Sequence, residues 1–146
     1  MLTLLGALVR ILIGFIFACL AVGLIQVLFA VTPAELAVGG EERIADAGLW
    51  VLLTATQVAV FAAPFAFIAV LISEWLRLGS FAFHVIVAMA IAVAGFGLIH
   101  ATEAAMVASI VNSYAMAAYL TSGFAGGVLY WLLSGRHAGG RRPRSP

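Results

Sequence analysis

The chain has 146 residues, of which 65% are hydrophobic and 9% charged, and its mean hydropathy is +1.20. Soluble domains carry about 25% charged residues, so a water-soluble globular domain is excluded and the bilayer is the solvent that the fold must satisfy. The formal net charge of +1 gives no reason to expect nucleic acid; the expected partners are the lipid bilayer and either a second copy or another membrane protein.

Four apolar runs, residues 11–31, 49–72, 81–99 and 114–133, fill most of the chain. A hydrocarbon core of ~30 Å needs ~20 apolar residues in a helix, and each run meets that length. The fold class predicted is an all-α membrane protein, a four-transmembrane-helix antiparallel bundle with both termini cytoplasmic. Residues 1–138 form one transmembrane domain, and residues 139–146 (GGRRPRSP) form a short basic disordered tail.

Span one follows Arg10, which snorkels to the headgroups at the inner end. Its single cysteine, Cys19, rules out an internal disulfide. Phe17 fits a lipoprotein cleavage site badly, and the run continues past Cys19, so the segment reads as an uncleaved span. Thr32-Pro33-Ala34-Glu35 reads as a capping box with Pro33 at the first helical position, which predicts a short outer helix ending at Gly39-Gly40. Residues 41–48 read as an acidic surface loop.

Span two lies between Trp50 and Trp75, spaced as interfacial anchors. Pro64 near its middle removes one backbone hydrogen bond and predicts a kink. The loop at residues 73–80 is short, which predicts a tight antiparallel hairpin of spans two and three, and Glu74 and Arg77 are spaced for a surface ion pair. Span three is rich in Ala and Gly. The third loop, residues 100–113, is apolar and reads as a helical extension in the outer interface. Tyr114, Tyr119, Tyr130 and Trp131 flank span four as aromatic anchors.

All seven basic residues are Arg, and six lie at the N-terminus, in the second loop or in the tail. The positive-inside rule then places both termini and the second loop in the cytoplasm. The expected location is the bacterial inner membrane, multi-pass; all-Arg usage fits a GC-rich bacterial genome.

Two features bear on packing. Gly123 and Gly127 form a GxxxG in span four, and Gly14 and Ala18 a looser version in span one. Both let helix backbones approach closely. At Gly123 and Gly127, Leu is expected to be disruptive and Ala to be tolerated. Two residues bear on solute handling. Gln26 and Gln57 fall at matched depth in the outer half of the membrane, where a bare amide costs several kcal/mol, so they are expected to hydrogen-bond each other.

His100 and Glu103, at i and i+3, form a candidate outer-face polar site. His84 lies sixteen residues before His100, ~24 Å away along a helix, so the two cannot share a metal or a haem. No zinc-protease, phosphate-loop, nucleophile-elbow or CxxC motif is present, and no catalytic residue, metal or cofactor is expected. No Asp, Glu, Lys or Arg lies deep in a span. That departs from small multidrug-resistance exporters, which need an embedded Glu in span one.

VLFAVTPAEL at residues 27–36, AAPFAF at 62–67 and GGVLYWLLSGRHAG at 126–139 resemble small four-span inner-membrane proteins of α-proteobacteria that carry no assigned activity. The resemblance implies the fold and the compartment, and supplies no reaction. The expected function is an accessory or scaffold subunit without catalytic activity, packing on itself or on a larger membrane complex. The alternatives are a small carrier or channel for a neutral or lipophilic solute through Gln26 and Gln57, and a membrane enzyme acting at the outer face through His100 and Glu103.

Overall fold

A computed structural model describes residues 2–103 and 113–138, without the side chains of residues 2–4, 99, 100, 102, 103 and 113. The elements are α1 (Leu2–Ala30), α2 (Pro33–Val38), α3 (Gly40–Trp75), α4 (Phe81–Glu103), α5 (Ser113–Leu133) and a 3-10 turn at Gly135–His137. Among the described residues all regular structure is helical. α1, α3, α4 and α5 are long and apolar enough to cross a membrane.

The capping box forms as the sequence predicts. The Glu35 N–H donates to Thr32 Oγ1 at 3.3 Å, and the Thr32 N–H donates to Glu35 Oε2 at 2.9 Å. The Thr32 N–H bond, and a weaker influence from the Thr32 hydroxyl donating to Glu35 Oε2 at 3.0 Å, hold the exposed Glu35 carboxyl below its ordinary value. α2 ends at Gly39, and Gly40 takes a positive φ of 68° to start α3 in a new direction. A side chain at Gly40 would be strained there.

Residues 41–48 are not the surface loop that their charge predicts. They are the first turns of α3, which runs unbroken over 36 residues, ~54 Å. Glu41 and Glu42 sit in its first turn, where acidic side chains complement the exposed amides and the helix dipole. No proline separates them from the apolar segment behind, so the helix propagates through one added hydrogen bond per residue. Pro64 likewise lies inside α3 without ending it. Trp50 and Trp75 are both strongly exposed, as membrane-interface anchors are.

α3 closes in a Schellman motif. The Leu78 N–H donates to the Ser73 carbonyl at 2.7 Å, and the Arg77 N–H to the Glu74 carbonyl at 3.4 Å. Arg77 occupies the left-handed position that usually takes glycine, at φ 53°. Glu74 and Arg77 are thus joined through the backbone.

The order of packing departs from the hairpin expected of spans two and three. α4 packs along α5, α5 along α1 and α1 along α3, while α3 and α4 scarcely touch despite their short connection. Small residues explain the choice of neighbours. A Cβ built on Gly123 would lie 2.7 Å from Ala92 Cβ, and one on Gly127 2.8 Å from Val85 Cα. A Cβ on Gly126 would meet Val22 Cγ2 at 2.7 Å, and one on Gly23 the Val51 carbonyl at 2.8 Å. Such positions let backbones come close and gain dispersion along their length. Where α3 faces α4, bulky Phe61, Phe65, Phe83 and Ile91 line the space between the helices.

Residues 104–112, most of the apolar third loop, and the tail at 139–146 lie outside the described residues, as do the side chains of His100 and Glu103. α4 continues helically as far as Glu103, into the segment expected to extend it.

Candidate functional site

The gap between α3 and α4 opens into a cavity of about 730 Å³ walled by α1, α3, α4 and α5. That volume falls in the usual range for small-molecule sites, about 300–1,000 Å³. Its α3 wall runs from Thr54 to Val70, ~24 Å along the helix. Most of the lining is apolar, and no Asp, Glu, Lys or Arg contributes to it. A second groove of about 330 Å³ lies between α3 and α4 and shares Ala69, Phe83, Val87 and Ile91 with the cavity. The two voids thus lie side by side along α3 and α4.

Gln26 and Gln57 both line this cavity. They do not form the hydrogen bond expected of them. α1 crosses α3 at Gly23, whose Cβ would lie 2.8 Å from the Val51 carbonyl and 3.0 Å from the Ala55 amide. Gln26 lies three residues beyond Gly23, and Gln57 two and six residues beyond the Ala55 and Val51 that Gly23 meets, and no hydrogen bond joins the two amides. Gln26 is half-buried, Gln57 is exposed to the void, and neither amide has a hydrogen-bond partner among the described residues. Nearby, Thr56 Oγ1 donates to the Leu52 carbonyl at 2.8 Å, so its hydroxyl is satisfied within its own helix.

Both small-residue faces are spent inside the bundle. α5 carries two of them. Gly123 and Gly127 face α4, where added Cβ atoms would also meet the Ala88 carbonyl at 3.1 Å and the His84 carbonyl at 3.2 Å. Backbone cannot give way as a flexible side chain can, so alanine at these two positions is expected to cost more stability than the sequence suggests. Gly126 and Ser134 face α1: a Cβ on Gly126 would lie 3.5 Å from the Ala18 carbonyl, and one on Gly14 3.0 Å from Ser134 Cβ. Gly14 and Ala18 therefore pack on α5. Sequence reasoning missed the row of Ser122, Gly126 and Ser134, although its spacing of four and eight marks it. Ser122 is fully buried and donates to the Tyr119 carbonyl at 2.9 Å.

The end of the cavity nearest the α3–α4 turn carries polar contacts of His84 and of the aromatic anchors of α5. His84 is buried, and its Nδ1 donates to the Ser80 carbonyl at 2.9 Å. Its ring stacks near Tyr130, with 5.6 Å between centroids, and leaves no space for a Cβ at Gly135. Trp131 Nε1 donates to the Gly79 carbonyl at 2.9 Å, which ties α5 to the turn between α3 and α4. At the opposite end Tyr114 donates to the Phe29 carbonyl at 2.7 Å and fastens α5 to α1. Between these ends Phe61 reaches from α3 toward α4, and a Cβ on Gly95 would lie 3.3 Å from its ring.

No protein-family model, curated protein or solved structure matches this chain.

Proposed function

We propose that this chain is a non-catalytic, multi-pass protein of the bacterial inner membrane that takes a neutral lipophilic solute into the α3–α4 cavity, as a small carrier or lipid-binding protein. The observation that carries the reading is the cavity itself: a mostly apolar void of about 730 Å³ with two unpaired glutamine amides and no ionised group on its wall. An empty void of this size forfeits dispersion contacts all along its lining, and an amide in hydrocarbon without a partner costs several kcal/mol. A solute of mixed character relieves both. Phe61 and Phe65 stand at the gap, so entry is sideways from the bilayer rather than along a water-filled pore.

The test is photolabelling. A diazirine-bearing long-chain probe irradiated with the protein in phospholipid nanodiscs should attach to lining residues such as Val87 and Ala66. Attachment confined to lipid-facing residues such as Leu12 and Phe67 would sink the reading.

The accessory-subunit reading stands second. Its original support, the Gly123–Gly127 face, is consumed against α4. What favours it now is the start of α3, where exposed Glu41, Glu42 and Arg43 extend the helix ahead of Trp50 and offer a projecting polar surface to a partner or a second copy.

The orientation we propose is an antiparallel four-span bundle with the N-terminus, the α3–α4 turn and the tail cytoplasmic. It is supported by the Arg distribution and by the reversed order in which residues meet along α4 and α5. With Cys19 replaced by alanine, single cysteines introduced as Glu42→Cys and Gly140→Cys should react with an impermeant maleimide from opposite sides of the membrane. Labelling from the same side overturns the orientation. The resemblance to α-proteobacterial four-span proteins agrees with the compartment.

A further inference from the structure

We infer that Gln57 binds the head of the solute, and that the solute is a single-chain lipophile with one neutral hydrogen-bonding head, such as a long-chain alcohol. This rests on the cavity reading above and narrows it to a substrate class. Three observations lead there.

The first is depth. Gln57 lies about 8 Å from the midpoint between Trp50 and Trp75, inside a hydrocarbon half-thickness of ~15 Å. Gln26 stands four residues, about 6 Å, before the end of α1, whereas Gln57 stands well inside α3. Gln57 is thus the amide that must find its partner in hydrocarbon. It is exposed to the void and has no hydrogen-bond partner among the described residues.

The second is charge. The lining holds no ionised side chain to compensate a carboxylate, phosphate or ammonium head. Burying an uncompensated charge costs far more than burying a hydroxyl or carbonyl. The head is therefore neutral. An amide both donates and accepts, so it pairs with either group.

The third is shape. From Gln57 the lining continues inward along α3 to Val70, ~20 Å, past Phe61 and beside Val87 and Ile91 of α4. A void of about 730 Å³ drawn out over that length is a slot for one chain. His84 and Tyr130 line its far end, beside the turn between α3 and α4. The head then lies outward at Gln57 and the tail inward.

The experiment uses the full chain in zwitterionic phospholipid nanodiscs with a tetradecan-1-ol analogue carrying a diazirine at the tail end. Adducts are mapped by mass spectrometry and competed with unlabelled tetradecan-1-ol or with pentadecane, which lacks the head. Adducts are expected at Val70, Phe83 and Val87. The alcohol should compete at a roughly tenfold lower mole fraction than the hydrocarbon, the effect of one hydrogen bond made in an apolar site. Gln57→Leu should bring that ratio close to one while the melting temperature holds or rises, because the variant removes an unpaired amide. Gln26→Leu should leave the ratio within about twofold of the parent.

A ratio near one in the parent protein, or a tenfold ratio that survives Gln57→Leu, overturns the inference while leaving the cavity reading in place. Absence of adducts on the lining overturns the cavity reading itself. If Gln57→Leu does not fold, the alcohol-to-hydrocarbon ratio of the parent still decides.

Discussion

Gly127→Leu should lower the melting temperature of the detergent-solubilised protein by about 10 °C, the largest effect of any single substitution in α5. The first atom of the new side chain already lies 2.8 Å from Val85 Cα and 3.0 Å from Ala88 Cβ. Overpacking of this kind costs about 1–3 kcal/mol, and more when the obstacle is backbone rather than a movable side chain. Gly127→Ala is expected to lose several degrees as well, since the clash begins at Cβ. Gly97, whose Cβ would meet nothing within 4 Å, is the control: Gly97→Leu should leave the melting temperature unchanged or raised, because helical glycine is about 1 kcal/mol worse than other residues. A parent-like melting curve for Gly127→Leu would mean that α4 and α5 do not meet along this face.

The second large effect is expected at Gly23. Its Cβ would fall 2.8 Å from the Val51 carbonyl oxygen, 3.0 Å from the Ala55 amide nitrogen and 3.2 Å from Ala55 Cβ, so Gly23→Leu pries α1 from α3 at their crossing. The loss should be comparable to that at Gly127, and it should carry a second signature. α1 and α3 form adjoining walls of the cavity, so photolabelling of Val87 and Ala66 should fall at least fivefold in Gly23→Leu, beyond what instability at the assay temperature explains. Gly127→Leu, read below its melting temperature, disturbs the opposite wall and should reduce labelling less. Equal labelling in Gly23→Leu and the parent would show that the crossing does not shape the void.

These results bear on what the sequence could reveal. The four spans were legible because hydrocarbon thickness imposes a length that few other constraints imitate. The capping box at Thr32 and Glu35 was legible because it is local chemistry over four residues. The small-residue faces at Gly14, Ala18, Gly123 and Gly127 were legible as faces, and each does lie at a helix contact.

Which helix each face meets was not legible. The spans are apolar on all sides, so hydrophobic periodicity, which in water would point to the buried face, is nearly flat here. That is why α3 was paired with α4 on the strength of a short loop, when Gly23 pairs it with α1. The cost of bare amides led to the expectation that Gln26 and Gln57 bond each other; instead both line one cavity with no bond between them, which only the fold discloses. The helical start of α3 was hidden for another reason. Its charges read as a loop by composition, whereas Glu41 and Glu42 are well placed to begin a helix.

α3 is held firmly at two places. One is the crossing with α1 at Gly23, and the other is the Schellman turn that joins it to α4 beyond Trp75. Pro64 stands about midway between them, and proline leaves the carbonyl of Val60 without its intrahelical donor. Mechanically α3 is a beam clamped at both ends and notched at its centre. Such a beam bows most at the notch, and the bow displaces Phe61 and Phe65, which directly follow the two residues, Val60 and Pro64, between which the bond is missing. The aromatic pair, packed with 5.4 Å between ring centroids, would move outward together. The bend of α3 therefore falls beside the gap to α4, and on the carrier reading proposed above a solute would pass there without either clamp being released.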